Sequence, residues 1–315
     1  MAEIKIKQIN YKGWDKAVEL SNSLIKLIVV PETGRIHFLS FIDGENIFYE
    51  NEELNGVSFK NDEYYIEKGE KKSPNIGGNR VLPCSEDYFH LLTDSRHIPD
   101  PYINASQYSF TLLYNGIILK SPISKLLGIQ ITRKITISEE SSTIKIAQEI
   151  VKLKQANKKE LEQIPLTIWS LSKIKTPNVS YTGISKNSIF KNGFTISKWP
   201  DAKNYAEDNV SVINNILALK STEKHPQKIG TDSKKWVAGY LNNTLFVEEF
   251  TFDNEETYPD NGTSVTIFGN HLFTELECLS PERVLKIGES IHYNLSWNLH
   301  NVKDKTHLKE LLTYL

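Results

Sequence analysis

The chain has 315 residues, with 37 Lys and Arg against 39 Asp and Glu, a formal net charge of −2. That balance argues against nucleic acid or an acidic membrane as the main partner, since both want a clear basic excess. Charged residues at 24% and AVILMFWYC residues at 39% exclude a disordered chain, and about 150 residues per domain sets a starting expectation of two domains.

Only nine alanines stand against many Ile, Thr, Tyr and Phe, a bias toward the half-buried pleated surface of a sheet. Met1 to Trp14 carries charges throughout and lacks the apolar segment of a signal peptide, so a cytoplasmic protein is expected. Ile4 and Ile6 alternate with Lys5 and Lys7. Residues 24–30, 35–41, 107–114, 128–138 and 143–151 read as strands, each bounded by Gly, Pro, Asn or Ser. The stretch around Leu24 to Val30 is the longest apolar run, yet Lys26 interrupts it and it is too short to span a bilayer. Gln155 to Gln163 is polar and reads as a loop. Strands resume at 164–175, 209–219, 235–241, 244–253, 264–269, 272–278 and 290–299. In the last, Tyr293, Leu295, Trp297 and Leu299 alternate with Asn294, Ser296 and Asn298, the pattern of a strand with one buried face.

One helix closes the chain. Leu308, Leu311, Leu312 and Leu315 share a helical face, with Asp304 or Thr306 as N-cap, and the expected place for it is a sheet edge. Cys84 and Cys278 cannot make a disulfide framework or a zinc site alone, and read as free buried thiols. An all-β fold follows: a large antiparallel sandwich with a short C-terminal helix at 304–315. The unbroken strand pattern replaces two domains by one sandwich over 1–315, because each half-sheet leaves an apolar face that only the other half can cover.

The chain lacks a phosphate-binding Gly-rich loop, a Gly-x-Ser-x-Gly elbow and a His-Glu-x-x-His pair. The sharpest chemistry lies in the segment from Phe273 to Pro281. On a strand Phe273, Glu275 and Glu277 share one face, while Leu272, Thr274, Leu276 and Cys278 share the other and read as core. The two carboxylates stand about 6.6 Å apart at Cα. Their repulsion should raise one pKa, which suits a general acid or base, and the ring beside them suits a sugar. The ordinary alternative is a solvated strand face. Gly77 and Gly78 precede Asn79 and Arg80; paired glycines let backbone approach a ligand, and Arg80 can bind a polar ligand in a fork. His90 and His97 can move protons near neutral pH, or be ordinary loop histidines. Trp169, Leu171 and Lys173 share a strand face, either a sugar platform or half-buried core. Tyr258, Asp260 and Gly262 form a turn bearing a phenol and an acid.

These residues occur in a telling order. Gly13-Trp14 is followed by Val30-Pro31-Glu32-Thr33-Gly34-Arg35-Ile36 and Asp43-Gly44-Glu45-Asn46. Then come Gly77-Gly78-Asn79-Arg80, the Trp169 strand, Tyr258-Pro259-Asp260-Asn261-Gly262 and Glu275-Leu276-Glu277-Cys278-Leu279-Ser280-Pro281. Gly288-Glu289-Ser290 and Trp297-Asn298-Leu299 close the series. Over about residues 11 to 300 the chain resembles the galactose mutarotase-like superfamily, in particular a domain-of-unknown-function branch related to aldose 1-epimerases.

The resemblance implies a β-supersandwich with a carbohydrate cleft. It implies that a late-strand glutamate takes the proton of the anomeric hydroxyl and a histidine protonates the ring oxygen. Glu277 and Glu275 both fit the glutamate's place before a proline, and Glu277 is favoured. The family's two histidines are not matched: Ile76 and Trp169 stand in their places. The acid must then be His90, His97, Lys173 or another group. Arg80, Trp169, Lys173, Tyr258, Asp260 and Phe273 become candidate substrate contacts, with a small carbohydrate as partner and no cofactor or metal. A non-catalytic sugar-binding protein of the same fold is the alternative. A glycosidase is third, because neighbours on one strand face flank a sugar poorly compared with carboxyls about 6.5–9.5 Å apart across the bond.

Overall fold

The computed structural model describes residues 3–60, 63–196, 206–222, 225–233 and 235–315. Two ten-stranded sheets carry the architecture. The first runs, in spatial order, Lys5–Tyr11, Trp14–Ser21, Ile25–Val30, Arg35–Phe41, Gly78–Leu82, Trp169–Lys175, Phe273–Leu279, Val265–Gly269, Gln227–Thr231 and Thr195–Ile196. The second runs Val210–Ile213, Ile216–Lys220, Val179–Gly183, Trp236–Leu241, Thr244–Phe250, Ser290–Asn301, Ile144–Lys152, Ile129–Ile137, Gly116–Lys120 and Ser109–Leu113. Neighbouring strands pair antiparallel, for example Ile129–Ile137 with Ile144–Lys152.

One apolar core draws from both sheets: Leu27, Ile36, Ile174 and Leu276 from the first, Ile131, Ile146, Phe246 and Trp297 from the second. Along Ser290–Asn301 every second residue from Ile291 to Leu299 is buried, as the alternation predicts. Cys84 and Cys278 are buried free thiols. No helix among the described residues is long and apolar enough to cross a membrane.

Three expectations change. Residues 209–219 are not one strand but a hairpin, Val210–Ile213 and Ile216–Lys220. It turns at Asn214 and Asn215, whose φ values are 53° and 61°; asparagine tolerates this left-handed backbone, as a two-residue hairpin turn requires. Leu272 is not core: it precedes the strand and is 48% exposed. The C-terminal helix Lys305–Tyr314 is capped by Asp304, whose carboxylate accepts from Thr306 and His307 backbone N–H groups at 2.8 and 2.9 Å. It lies on the second sheet's outward face rather than its edge, with Leu308 and Leu312 against Trp236, Ala238, Leu245 and Val247. Those strands are apolar on both faces, so their outer side also needs cover.

Gly77 and Gly78 do permit a close approach, but of the protein's own backbone. Both have positive φ, and an added Cβ would stand 2.1 Å from the Tyr49 carbonyl oxygen or 2.3 Å from that of Ile36. The Gly78 N–H donates to Tyr49 O at 3.0 Å, and the Tyr49 N–H donates to Lys173 O at 3.0 Å. Gly78→Ala should therefore lower stability by at least about 2 kcal/mol in urea unfolding. A change within about 0.5 kcal/mol would show that the backbone yields there.

Candidate functional site

Three neighbouring strands set the site by register. Leu171 lies opposite Arg80 on one side and Glu277 on the other; Lys173 lies opposite Gly78 and Glu275; Trp169 lies opposite Leu82 and Leu279. Beyond them Thr266 and Phe268 lie opposite Glu277 and Glu275, and Lys228 lies opposite Phe268. Directly opposed residues point to the same face. Arg80, Trp169, Lys173, Lys228, Glu275 and Glu277 thus share the outward face of the first sheet, and Asn79, Ser172 and Leu276 point the other way.

The contacts on this face form two linked groups. The Trp169 indole N–H donates to Glu277 Oε2 at 3.1 Å. Lys228 Nζ lies 5.4 Å from the centre of the Trp169 ring and 3.4 Å from Glu86 Oε1. In the second group Lys173 Nζ lies 3.0 Å from Glu275 Oε1, donates to Asn75 Oδ1 at 2.6 Å, and sits 3.9 Å from the centre of the Phe273 ring. Arg80 Nη1 donates to Asn104 Oδ1 at 2.7 Å. Arg35 stands behind it, donating to Gly77 O and Asn104 O. Glu277 and Trp169 are buried, whereas Arg80, Glu275, Glu86 and Asp260 are part-exposed, so solvent reaches the rim of the group and not its floor.

The two glutamates titrate apart. Burial pushes the Glu277 carboxyl up to about 8; Glu275, Glu86 and Asp260 add to the rise and Lys228 opposes it. Burial also works against the Glu275 charge, but Lys173, Arg80 and Lys228 outweigh it and hold that carboxyl below its usual range. Lys173 is pulled down to about 8 by burial, with Arg80 and Arg35 adding and Glu275 resisting. Lys228 loses charge stability to burial, yet Glu277, Glu86 and Asp260 more than restore it and raise its pKa. Paired titratable groups pushed apart in this way are suited to acid–base chemistry.

The other candidates lie around this group or away from it. Asp260 sits at a left-handed turn position (φ 51°) and accepts the Ser85 hydroxyl at 2.7 Å; its charge reaches Glu277 and Lys228. Tyr258 is buried, stacks on Phe252 at 4.5 Å, and its hydroxyl accepts the Asp253 N–H at 2.9 Å, so its polar end serves its own turn. His90 is exposed on the short helix Phe89–Thr93, and His97 is exposed just beyond it. His37, which sequence reasoning did not single out, is fully buried, packs on Trp14 at 4.7 Å, and places Nε2 2.9 Å from Thr33 Oγ1.

Sequence reasoning also missed Lys228. Its strand, Gln227–Thr231, contains one branched apolar residue, Ile229, and no period-2 signal; pairing with Val265–Gly269 holds it in the sheet. No group of three or more His, Cys, Asp or Glu that could hold a metal ion occurs among the described residues.

Comparison with solved structures decides the fold. A candidate aldose 1-epimerase from Klebsiella pneumoniae superposes with a TM-score of 0.60 at 10% identity, covering 98% of this chain and 85% of that one. A galactose mutarotase-like protein from Lactobacillus casei gives 0.55 at 8% identity, covering 90% and 100%. A galactose mutarotase related enzyme from Lactobacillus acidophilus gives 0.54 at 8%, covering 91% and 99%. The chain has the galactose mutarotase-like fold. No protein-family model matches it, and no curated protein matches it by sequence. At such identities the shared property is the mutarotase-like fold itself. What this chain's own face can do rests on its residues.

Proposed function

We propose that the chain binds a small carbohydrate on the outward face of the first sheet and acts on its anomeric centre in the manner of an aldose 1-epimerase. The observation that carries this reading is Glu277. It is a buried carboxyl held by the Trp169 indole, flanked by Lys228 and Glu275, on a mutarotase-like fold. Glu277 takes the proton of the anomeric hydroxyl as the bond from C1 to the ring oxygen breaks. Lys173 gives its proton to that oxygen, yielding the open-chain aldehyde. Rotation about the C1–C2 bond and reversal of both proton transfers close the other anomer. Arg80, whose buried Nε has no hydrogen-bond partner among the described residues, and Lys228 supply donors for sugar hydroxyls. Phe273, packed beside Lys173, supplies apolar surface for ring C–H groups, whereas Trp169 is fully buried and acts by holding Glu277.

Lys173 takes the acid's role because a pKa of about 8 lets it release a proton far more readily than an ordinary lysine. The strongly charged Lys228 is suited to holding a hydroxyl. Below pH 8 Glu277 carries a proton and cannot accept another; above pH 8 Lys173 has lost the proton it must give. Polarimetry on a panel of aldoses between pH 6 and 10, corrected for spontaneous mutarotation, should give a bell-shaped kcat/KM centred near 8. A monotonic profile would remove Lys173 from the mechanism. No acceleration with any aldose would remove the enzyme.

One observation favours a second reading, a sugar-binding protein without turnover. Trp169 stands where the resemblance puts a histidine, and an indole N–H donates a hydrogen bond but carries no proton to and fro. Calorimetry against a glycan panel, run beside the polarimetry, separates the two: heat of binding without mutarotation supports the second.

A further inference from the structure

The outward face of the second sheet is covered on one side only. The C-terminal helix packs over Trp236–Leu241 and Thr244–Phe250. Beside it, the outward residues of Val179–Gly183, Ile216–Lys220 and the edge strand Val210–Ile213 line a groove of about 1510 Å3, walled by the helix. The apolar part of its floor is built from Tyr181, Ile213, Ile216 and Trp236, with Leu308 and Leu312 on the helix side, and asparagines such as Asn178, Asn215 and Asn243 complete the lining. Ile213 is 69% exposed while Trp236, Leu308 and Leu312 are buried, so the hairpin carries the open part of this apolar lining.

The charge around this floor has one sign. Lys186, Lys220, Lys235, Lys305 and Lys309 line the groove, and no aspartate or glutamate does so among the described residues. The whole chain is net negative, so the concentration of lysines here is a local field rather than a reflection of composition. Lysine stems can lie along apolar surface while their ammonium groups stay in water. A groove with an apolar floor and a cationic rim fits a molecule with an alkyl tail and an anionic head.

We propose that this groove binds a free long-chain fatty carboxylate, the tail on the Ile213–Ile216–Trp236 floor and the carboxylate among the rim lysines. The site lies on the opposite sheet from Glu277 and does not depend on the carbohydrate reading.

The test is calorimetry with decanoate and dodecanoate below their aggregation concentrations, with dodecyltrimethylammonium as the cationic counterpart. The expected result is saturable 1:1 binding of dodecanoate. Burial of two further methylenes should tighten it about tenfold over decanoate. Ile213→Asp, and Lys186→Glu combined with Lys309→Glu, should each weaken it at least about fivefold. All three side chains are exposed, so the fold should survive, and near-UV circular dichroism checks that it does. Equal binding of the cationic amphiphile, no dependence on tail length, unchanged affinity in both variants, or no binding would each overturn the proposal. Two further arms identify other occupants, and either outcome also overturns it. Cosedimentation with phosphatidylglycerol vesicles without binding of free dodecanoate would assign the groove to a membrane surface. A concentration-dependent dimer abolished by Ile213→Asp would assign it to a second copy of the chain.

Discussion

Glu277→Gln should reduce the rate of aldose interconversion by about 10²–10⁴-fold, the range a positioned general base contributes. The substitution keeps the shape of the side chain and an oxygen that can accept the Trp169 N–H, so the loss should fall on kcat rather than on the fold. Its neighbour makes a sharper control. The Glu275 charge raises both the Glu277 carboxyl and the Lys173 ammonium. Glu275→Gln should therefore lower both pKa values and carry the whole bell below pH 8, while leaving Glu277 in place to act. Activity that survives Glu277→Gln unchanged would exclude this carboxyl as the base. An unmoved profile in Glu275→Gln would show that the two glutamates do not share a field.

The second large effect concerns the core. Glu248 is fully buried between the sheets, where its Oε2 accepts the Trp297 indole N–H at 3.1 Å and lies 3.8 Å from Cys278 Sγ. Its Oε1 has no hydrogen-bond partner among the described residues. Burial pushes this carboxyl up to about 8, against weaker lowering by Ser172, Trp297, Cys278 and Arg133. Glu277 is raised to about 8 as well. In both cases the folded chain holds a proton that the unfolded chain releases at an ordinary carboxylate pKa. Their contribution to stability is therefore full below about pH 4.5 and is lost as the pH rises through 8. The slope is up to about 1.4 kcal/mol per pH unit for each group.

Urea unfolding between pH 5.5 and 8.5 should show stability falling by several kcal/mol, and Glu248→Gln should flatten the curve and leave the variant the more stable protein at pH 8.5. The carboxyls held below their usual range, such as Glu275 and Asp304, act in the opposite sense, but only on the acid side of this window. A flat profile in the parent protein would mean that both buried carboxyls are ionised in the fold.

What could be read in advance follows from how each signal arises. The alternation in Ser290–Asn301 is a property of a single strand with one side in the core, and the two-residue period of Phe273–Leu279 puts Glu275 and Glu277 on one face even though that strand is covered on both sides, so one strand's sequence suffices. Lys228 could not be found that way, because its place beside Glu277 comes from two rounds of pairing through Val265–Gly269. The glycine pair signalled a close approach and suggested a ligand, but the visitors are the Tyr49 and Ile36 backbones of the same chain. The helix was legible from Leu308 and Leu312, yet its seat was not. Trp236 and Ala238 face outward only because Val237 faces the core, and a near-continuous apolar run hides which side is which.

A sugar that reaches Glu277 must perturb the Trp169 indole that holds this carboxyl. The indole N–H resonance of Trp169, assigned by its loss in Trp169→Phe and followed by 15N NMR during titration with aldoses, reports on that contact directly. A saturable shift of this resonance is expected with at least one aldose, weakened in Arg80→Ala. An indole signal that stays fixed with every aldose, at concentrations where mutarotation or binding is measured, would place the sugar elsewhere and contradict the proposed function.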